Sequence, residues 1–255
     1  MRIETILGPG EFEGLARRDL SGTTSVVFDI LRATTSMTTA LARGARAVRP
    51  VREISEALAW RERDPRVLLA GERQGLRIRA AQTGSIDFDL GNSPREFTAE
   101  VVAGRDLVMT TTNGTLALTS CAQSGRVLPA SFLNLEATLA HLAGRRPAHL
   151  LLVCAGTFEE PAYEDILAAG AVCDWWLRRN EGVELADSSA AAWQTFQGCQ
   201  GDLPGAMRHS KNGRRLLGLP ELAEDVAICL RRDTLGVVTE MRAGLVEVIF
   251  REAGG

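Results

Sequence analysis

Along the chain, short apolar, β-branched runs alternate with stretches whose apolar residues recur at helical spacing. TTSVVFDIL over 23–31 reads as a buried strand and ATTSMTTALARGA over 33–45 as a helix. A strand over 46–50, a helix over 54–63 and strands over 67–70 and 106–111 follow. Helix signals begin at Thr115, Leu135 and Tyr163, with strands over 126–130 and 148–154 between them. Strands separated by helices predict a mainly parallel sheet covered on both faces. Ser93, Pro94 and Glu96 have the spacing of a capping box with proline in the first turn, which predicts a helix over 93–103. In the last third, helices near 187–197 and 219–231 lead into VVTEMRAGLVEVIF over 237–250, read as an antiparallel hairpin turning at Ala243 and Gly244. The predicted fold is α/β: a three-layer α/β/α arrangement with a mixed, mainly parallel sheet and an antiparallel C-terminal hairpin. It is expected as one domain over 1–255, within which 185–255 could form a sub-lobe.

Composition narrows the function classes. With 45% hydrophobic and 24% charged residues the chain is ordinary for a globular fold and needs no metal or disulfide staple. A formal net charge of −3 gives no pull toward nucleic acid or an anionic membrane, so neither is expected as a partner. Lys211 is the only lysine, so an arginine near a motif means less than usual and its position must carry the weight. Five cysteines, none two residues from another, exclude a zinc knuckle or redox pair. Cys154, Cys173 and Cys229 fall in apolar patterns and read as buried thiols, which suits a cytoplasmic protein. The opening MRIETILGPGEFEG lacks a signal-peptide core, and no run approaches the ~20 apolar residues of a membrane span. A homodimer is compatible with all of this.

In an open α/β sheet, ligands bind beyond the carboxyl ends of the strands. The polar residues there form two sets. The first is hydroxyls and backbone amides at helix starts: Thr34 after the first strand, and Thr111, Thr112, Asn113, Gly114 and Thr115 in TTTNGT. These suit phosphate or another oxyanion; ordinary N-capping is the competing reading. The second is carboxylates: Asp29, Glu72, Glu164 and Asp165. Carboxylates with phosphate oxygens and water are what Mg²⁺ prefers. Glu164 and Asp165 could instead complement a helix dipole, and Asp29 could pair with Arg32. Spacing excludes several phosphatase chemistries. Leu31 stands where a DxD pair needs its second acid, and Glu160 stands where a cysteine phosphatase needs arginine after Cys154. Arg208-His209-Ser210 lacks the glycine of a phosphohistidine motif, and three histidines are too few for a histidine-rich zinc site. There is no Walker A loop and no GxGxxG after a strand. Metal-activated water or a metal-assisted aspartate nucleophile remains.

DILRATTS (29–36), GER (71–73), DLGNSP (89–94), TTTNGT (110–115), CAGT with YEDILAAG (154–157, 163–170) and SKNGRRL (210–216) occur in this order. Together they resemble the 2-phosphosulfolactate phosphatase family of coenzyme M biosynthesis, from about residue 25 to 240. The resemblance implies Mg²⁺-dependent hydrolysis of 2-phospho-3-sulfolactate to 3-sulfolactate and phosphate on a family-specific α/β fold. It implies Asp29, Glu72 and Asp165 at the metal with Glu164 as a further ligand. Arg32, Thr112, Asn113, Gly114 and Thr115, with Thr34 and Thr111 beside them, would hold phosphate. Asn92 and Ser93 would take the sulfonate or carboxylate, and Arg73 would add a further anion contact. Asp29, Arg32 and Asp165 are the expected catalytic residues, with the choice between water and Asp29 as attacking group left open. Two features depart from the family pattern. The segment 74–89 is longer than the usual link to GNSP and bears on one wall of the site, and VVTEMR lacks the family's proline. Rival readings are a phosphatase of another small phosphorylated acid and a non-catalytic binder of an anionic metabolite.

Overall fold

β-branched runs with both faces apolar can be buried only inside a covered sheet, and the run from Thr23 sits inside one. The computed structural model describes residues 1–179 and 182–252. Its strands are β1 (Arg2–Ile6), β2 (Thr23–Phe28), β3 (Ala47–Pro50), β4 (Leu68–Arg73), β5 (Leu76–Arg77), β6 (Asp106–Thr110), β7 (Arg126–Ala130), β8 (His149–Cys154), β9 (Glu184–Leu185), β10 (Val237–Arg242) and β11 (Leu245–Arg251). They form one mixed sheet in the order β5-β4-β6-β3-β11-β10-β7-β2-β8-β1-β9. Two parallel blocks, β4-β6-β3 and β7-β2-β8-β1-β9, are joined by the β10–β11 hairpin, which is antiparallel to both neighbours.

Side chains on adjacent parallel strands alternate between two cores with period two. Val26, Phe28, Leu128, Leu150 and Leu152 enter the core under the helices Leu135–Arg145 and Tyr163–Arg179. Val27, Val127, Leu151 and Val153 enter the opposite one, with Met37 and Leu41 of the helix Ala33–Ala42. Helices therefore cover both faces, as the alternation of elements predicts. The hairpin turns at Ala243 (φ 48°) and Gly244 (φ 74°), the double left-handed geometry of a two-residue type I′ turn. All five cysteines are free thiols. Among the described residues, no helix is long and apolar enough to cross a membrane.

One expected element is different. In place of a helix over 93–103 there is a single 3₁₀ turn, Pro94–Glu96, and a short helix, Ala99–Val102. Ser93 makes no capping bond because its hydroxyl donates to Asp225 Oδ1 at 2.7 Å. Glu96 does not reach back to the cap either, since its Oε2 accepts from Gly91 N and the Arg77 guanidinium. Tertiary partners outcompete the local capping box.

Candidate functional site

Strand β2 ends at Phe28, and the next four residues turn into the helix Ala33–Ala42. That turn is fixed at both ends. Asp29 Oδ1 accepts the free N–H of Ala33 at 3.0 Å, and the Thr34 hydroxyl donates to the Asp29 carbonyl at 3.0 Å. Thr34 thus shapes the turn and does not line the cleft beside it. Asp29 is left with Oδ2 beside Gly114, where a Cβ on that glycine would come within 2.5 Å of it. No residue but glycine can occupy 114 without moving the carboxylate.

Glu72, near the end of β4, is buried and triply bonded. Its Oε1 accepts from Thr112 N at 2.8 Å and from the Thr112 hydroxyl at 2.9 Å, and its Oε2 from Gly75 N at 2.6 Å. It ties the end of β6 to the β4–β5 turn. Asn113 does the same for β8. Its Nδ2 donates to the Ala155 and Phe158 carbonyls at 3.0 and 2.9 Å, and its Oδ1 accepts from Phe158 N at 3.0 Å.

These strand ends surround a cleft of about 560 Å³, open solvent at its mouth included. Of the residues expected from sequence, Asp29, Arg32, Glu72, Asn92, Thr112 and Asn113 line it. Thr34, Arg73, Ser93, Thr111, Gly114, Thr115, Glu164 and Asp165 do not. Thr111 and Thr115 are buried and bond to each other across the start of the helix Gly114–Ser120, whose N-cap Asn113 makes no side-chain capping bond. Arg73 turns away, donating to the Thr110 hydroxyl and the carbonyls of Glu72 and Arg52.

The carboxylates converge, but only Asp29 and Glu72 face the cleft. Asp165, at the start of the helix Tyr163–Arg179, accepts Ile30 N on Oδ1 at 2.8 Å and Gly156 N on Oδ2 at 3.1 Å. It pins the ends of β2 and β8 together. Glu164 accepts the Ser210 hydroxyl at 2.5 Å and Asn212 Nδ2 at 2.7 Å, anchoring the helix Lys211–Leu217. Among the described residues, no three His, Cys, Asp or Glu side chains are arranged to hold a metal ion by themselves. The expected three- or four-carboxylate cage thus differs from the observed arrangement, in which Glu164 and Asp165 turn away from the cleft that Asp29 and Glu72 line. Arg32 does not pair with Asp29. Its Nη1 donates to Asp225 at 2.6 Å and its Nη2 to the Gly75 carbonyl at 2.6 Å, with Arg32 and Asp225 both buried. Ser93 and Arg95 Nε complete the bonding of Asp225.

Burial first, then the nearby charges of Glu72 and Glu164, pushes the Asp29 carboxyl up to about 7, against the opposing Ala33 N–H and Arg32. Burial, with Glu164 and Asp29, holds Asp165 well above the usual carboxylate range. A carboxyl held this far up either keeps its proton or is ionised by a neighbouring cation. The residues lining the cleft also include Gln74, Gly75, Phe158, Asn212 and Arg215, which sequence reasoning did not assign. Gln74 and Gly75 form the turn between β4 and β5. Asn212 and Arg215 fall within SKNGRRL, whose similarity was the only signal available for them.

A family model described as 2-phosphosulpholactate phosphatase matches residues 12–244. A protein of Thermotoga petrophila named probable 2-phosphosulfolactate phosphatase is 38% identical over 222 residues, 87% of this chain and 90% of its own. One of the same name from Deinococcus radiodurans is 38% identical over 221 residues, 86% and 88% of the two chains. Another from Clostridium acetobutylicum is 32% identical over 245 residues, 96% and 99% of the two.

Proposed function

The chain belongs to the 2-phosphosulpholactate phosphatase family, and from that premise we propose that it hydrolyses 2-phospho-3-sulfolactate to 3-sulfolactate and phosphate with Mg²⁺ bound in the cleft. One observation carries the metal reading: Asp29 and Glu72, carboxylates from two separate strand ends, line the same cleft, and among the described residues neither forms an ion pair.

The donor chemistry fits a hard cation. Asp29 and Glu72 offer carboxylate oxygens, and no histidine or cysteine lines the cleft. Asn92, which also lines it, has a buried Oδ1 that finds no partner among the described residues. With only two acids available, the remaining positions fall to water and substrate oxygens, the usual arrangement for Mg²⁺ at phosphate esters. Bound there, Mg²⁺ would polarise a phosphoryl oxygen and offset the charge that develops on it.

The protein's own part is positioning and charge placement, which dominate phosphoryl transfer. The Ala33 N–H holds one oxygen of Asp29 and so orients the other. Thr112 and Gly75 fix Glu72, and Asn113 fixes the loop after β8 that forms the facing wall. Leu31, Phe158 and Leu216 supply apolar parts of the cleft lining. The test is phosphate release from 2-phospho-3-sulfolactate, 2-phospholactate and phosphoglycolate, each with Mg²⁺ and with excess chelator. Metal-dependent release favouring the sulfonated ester supports the proposal. Release unaffected by chelation overturns the metal reading, and no release from any ester leaves a binder of anions.

A further inference from the structure

The proposed substrate carries three anionic groups, and the cleft has acid at one end. With a metal at Asp29 and Glu72 taken up by phosphoryl oxygens, the sulfonate needs a cation elsewhere. The lining residues contain two, Arg32 and Arg215. Arg32 is 3% exposed, with one guanidinium nitrogen on the Asp225 carboxylate and another on the Gly75 carbonyl. Its charge is already matched. Arg215 is exposed at the mouth and donates Nη2 to the Gln74 carbonyl. Among the described residues no carboxylate pairs with it. Its guanidinium lies about 4 Å from the position a Cβ would take on Gly75, whose N–H binds Glu72. The β4–β5 turn therefore touches both charges, Gly75 N donating to Glu72 and the Gln74 carbonyl accepting from Arg215.

We infer that Arg215 is the specificity-determining residue that receives the sulfonate. This rests on the phosphosulfolactate reading above. The carboxylate of the substrate is on the same carbon as the phosphoester oxygen and stays near the phosphate. The sulfonate is on the next carbon and reaches farther, toward the mouth. A guanidinium presents paired N–H donors to its oxygens, a geometry that lysine does not reproduce. The helix that carries Arg215 is held in place from below: Ser210 accepts Gly213 N and donates to Glu164, while Asn212 donates to Glu164 and to Thr157 Oγ1.

The test compares wild type, Arg215→Gln and Arg215→Lys on three esters: 2-phospho-3-sulfolactate, 2-phospholactate, which lacks the sulfonate, and 2-phosphooxyethanesulfonate, which lacks the carboxylate. Arg215→Gln should lose about 100-fold in kcat/KM, mostly through KM, on both sulfonates, as expected for a lost charge-assisted hydrogen bond. On 2-phospholactate the loss should stay within about threefold, and Arg215→Lys should fall between on the sulfonates. Equal losses on all three esters would reduce Arg215 to a brace for the Gln74 turn. Loss on 2-phospholactate alone would assign it to the carboxylate. Either result overturns the inference. Calorimetric binding of 3-sulfolactate and of lactate to wild type and Arg215→Gln separates this from the phosphatase reading. If no ester is hydrolysed, a selective loss of 3-sulfolactate binding still supports the sulfonate site, and unchanged binding sinks it.

Discussion

Gly114→Ala probes the site through one added methyl group. The Cβ would lie 2.5 Å from Asp29 Oδ2 and 2.5 Å from Ala33 Cβ, where ordinary contact begins at 3.4 Å, so roughly 0.9 Å of movement is required. Ala33 is fully buried at the start of a packed helix, whereas Asp29 is a side chain at the edge of a cleft. The carboxylate therefore swings away, and the equal contact with Ala33 Cβ is relieved by a shift of the backbone at position 114. Overpacking costs about 1–3 kcal/mol, and replacing glycine in a helix returns about 0.5–1 kcal/mol. The net change of about 0–2.5 kcal/mol lowers the melting temperature by no more than about 10 °C. A displacement near 1 Å at a reacting group costs on the order of 100-fold in rate. Steady-state phosphate release should accordingly fall about 100-fold while the protein stays folded at 25 °C. Gly144→Ala, in the helix Leu135–Arg145 with open space around its Cβ position, serves as the control and should leave activity unchanged. A Gly114→Ala enzyme within threefold of wild type would refute the placement of Asp29 in the reaction.

Three further outcomes follow from the same contacts. Because Asp29 is pushed up to about 7 in the metal-free fold, the native state holds a proton there that the unfolded chain releases near 4. Stability should fall as pH rises through that window, so metal-free wild type should melt higher at pH 5.5 than at pH 8, a difference reduced in Asp29→Asn; equal slopes for both would contradict the shift. Protons and metal also compete at that carboxylate, so calorimetry should show Mg²⁺ binding weakening about fivefold between pH 7 and pH 6, whereas a pH-independent affinity would remove Asp29 from the metal. Asp225→Asn leaves the buried Arg32 guanidinium without its counter-charge and should cost about 3–5 kcal/mol in urea denaturation; a cost below about 1 kcal/mol would mean that the pair is solvated.

What the sequence reveals follows the range of the interactions involved. The helix Ile54–Arg63 and the strand Arg126–Ala130 match their expected limits to the residue because periodicity and flanking breakers are local signals. The hairpin at Ala243 and Gly244 was legible for the same reason, but not its place at the centre of the sheet, which depends on Met241 meeting Val127 and Val246 meeting Val48. β1 was missed: RIETI is short, and its partners are β8 and β9, far along the chain. At the site, Asp29 and Glu72 stood out as acids at the ends of apolar strands. Glu164 and Asp165 stand instead in the first turn of a helix, and they turn inward to Ser210, Asn212, Ile30 and Gly156. Whether an acid at a helix start faces a cation or a backbone amide is decided by what packs over it. Arg215 is the reverse case: an arginine among many whose meaning depends on the Gln74 carbonyl 141 positions away.

On the proposed function, Asp29 takes part in the hydrolysis and is not merely a support for the fold. The direct measurement is the rate of Mg²⁺-dependent phosphate release from 2-phospho-3-sulfolactate by Asp29→Asn, a change that preserves shape and removes charge. The account predicts loss of turnover in a protein that melts at or above the wild-type temperature at pH 8. An Asp29→Asn enzyme that keeps most of its activity would contradict it.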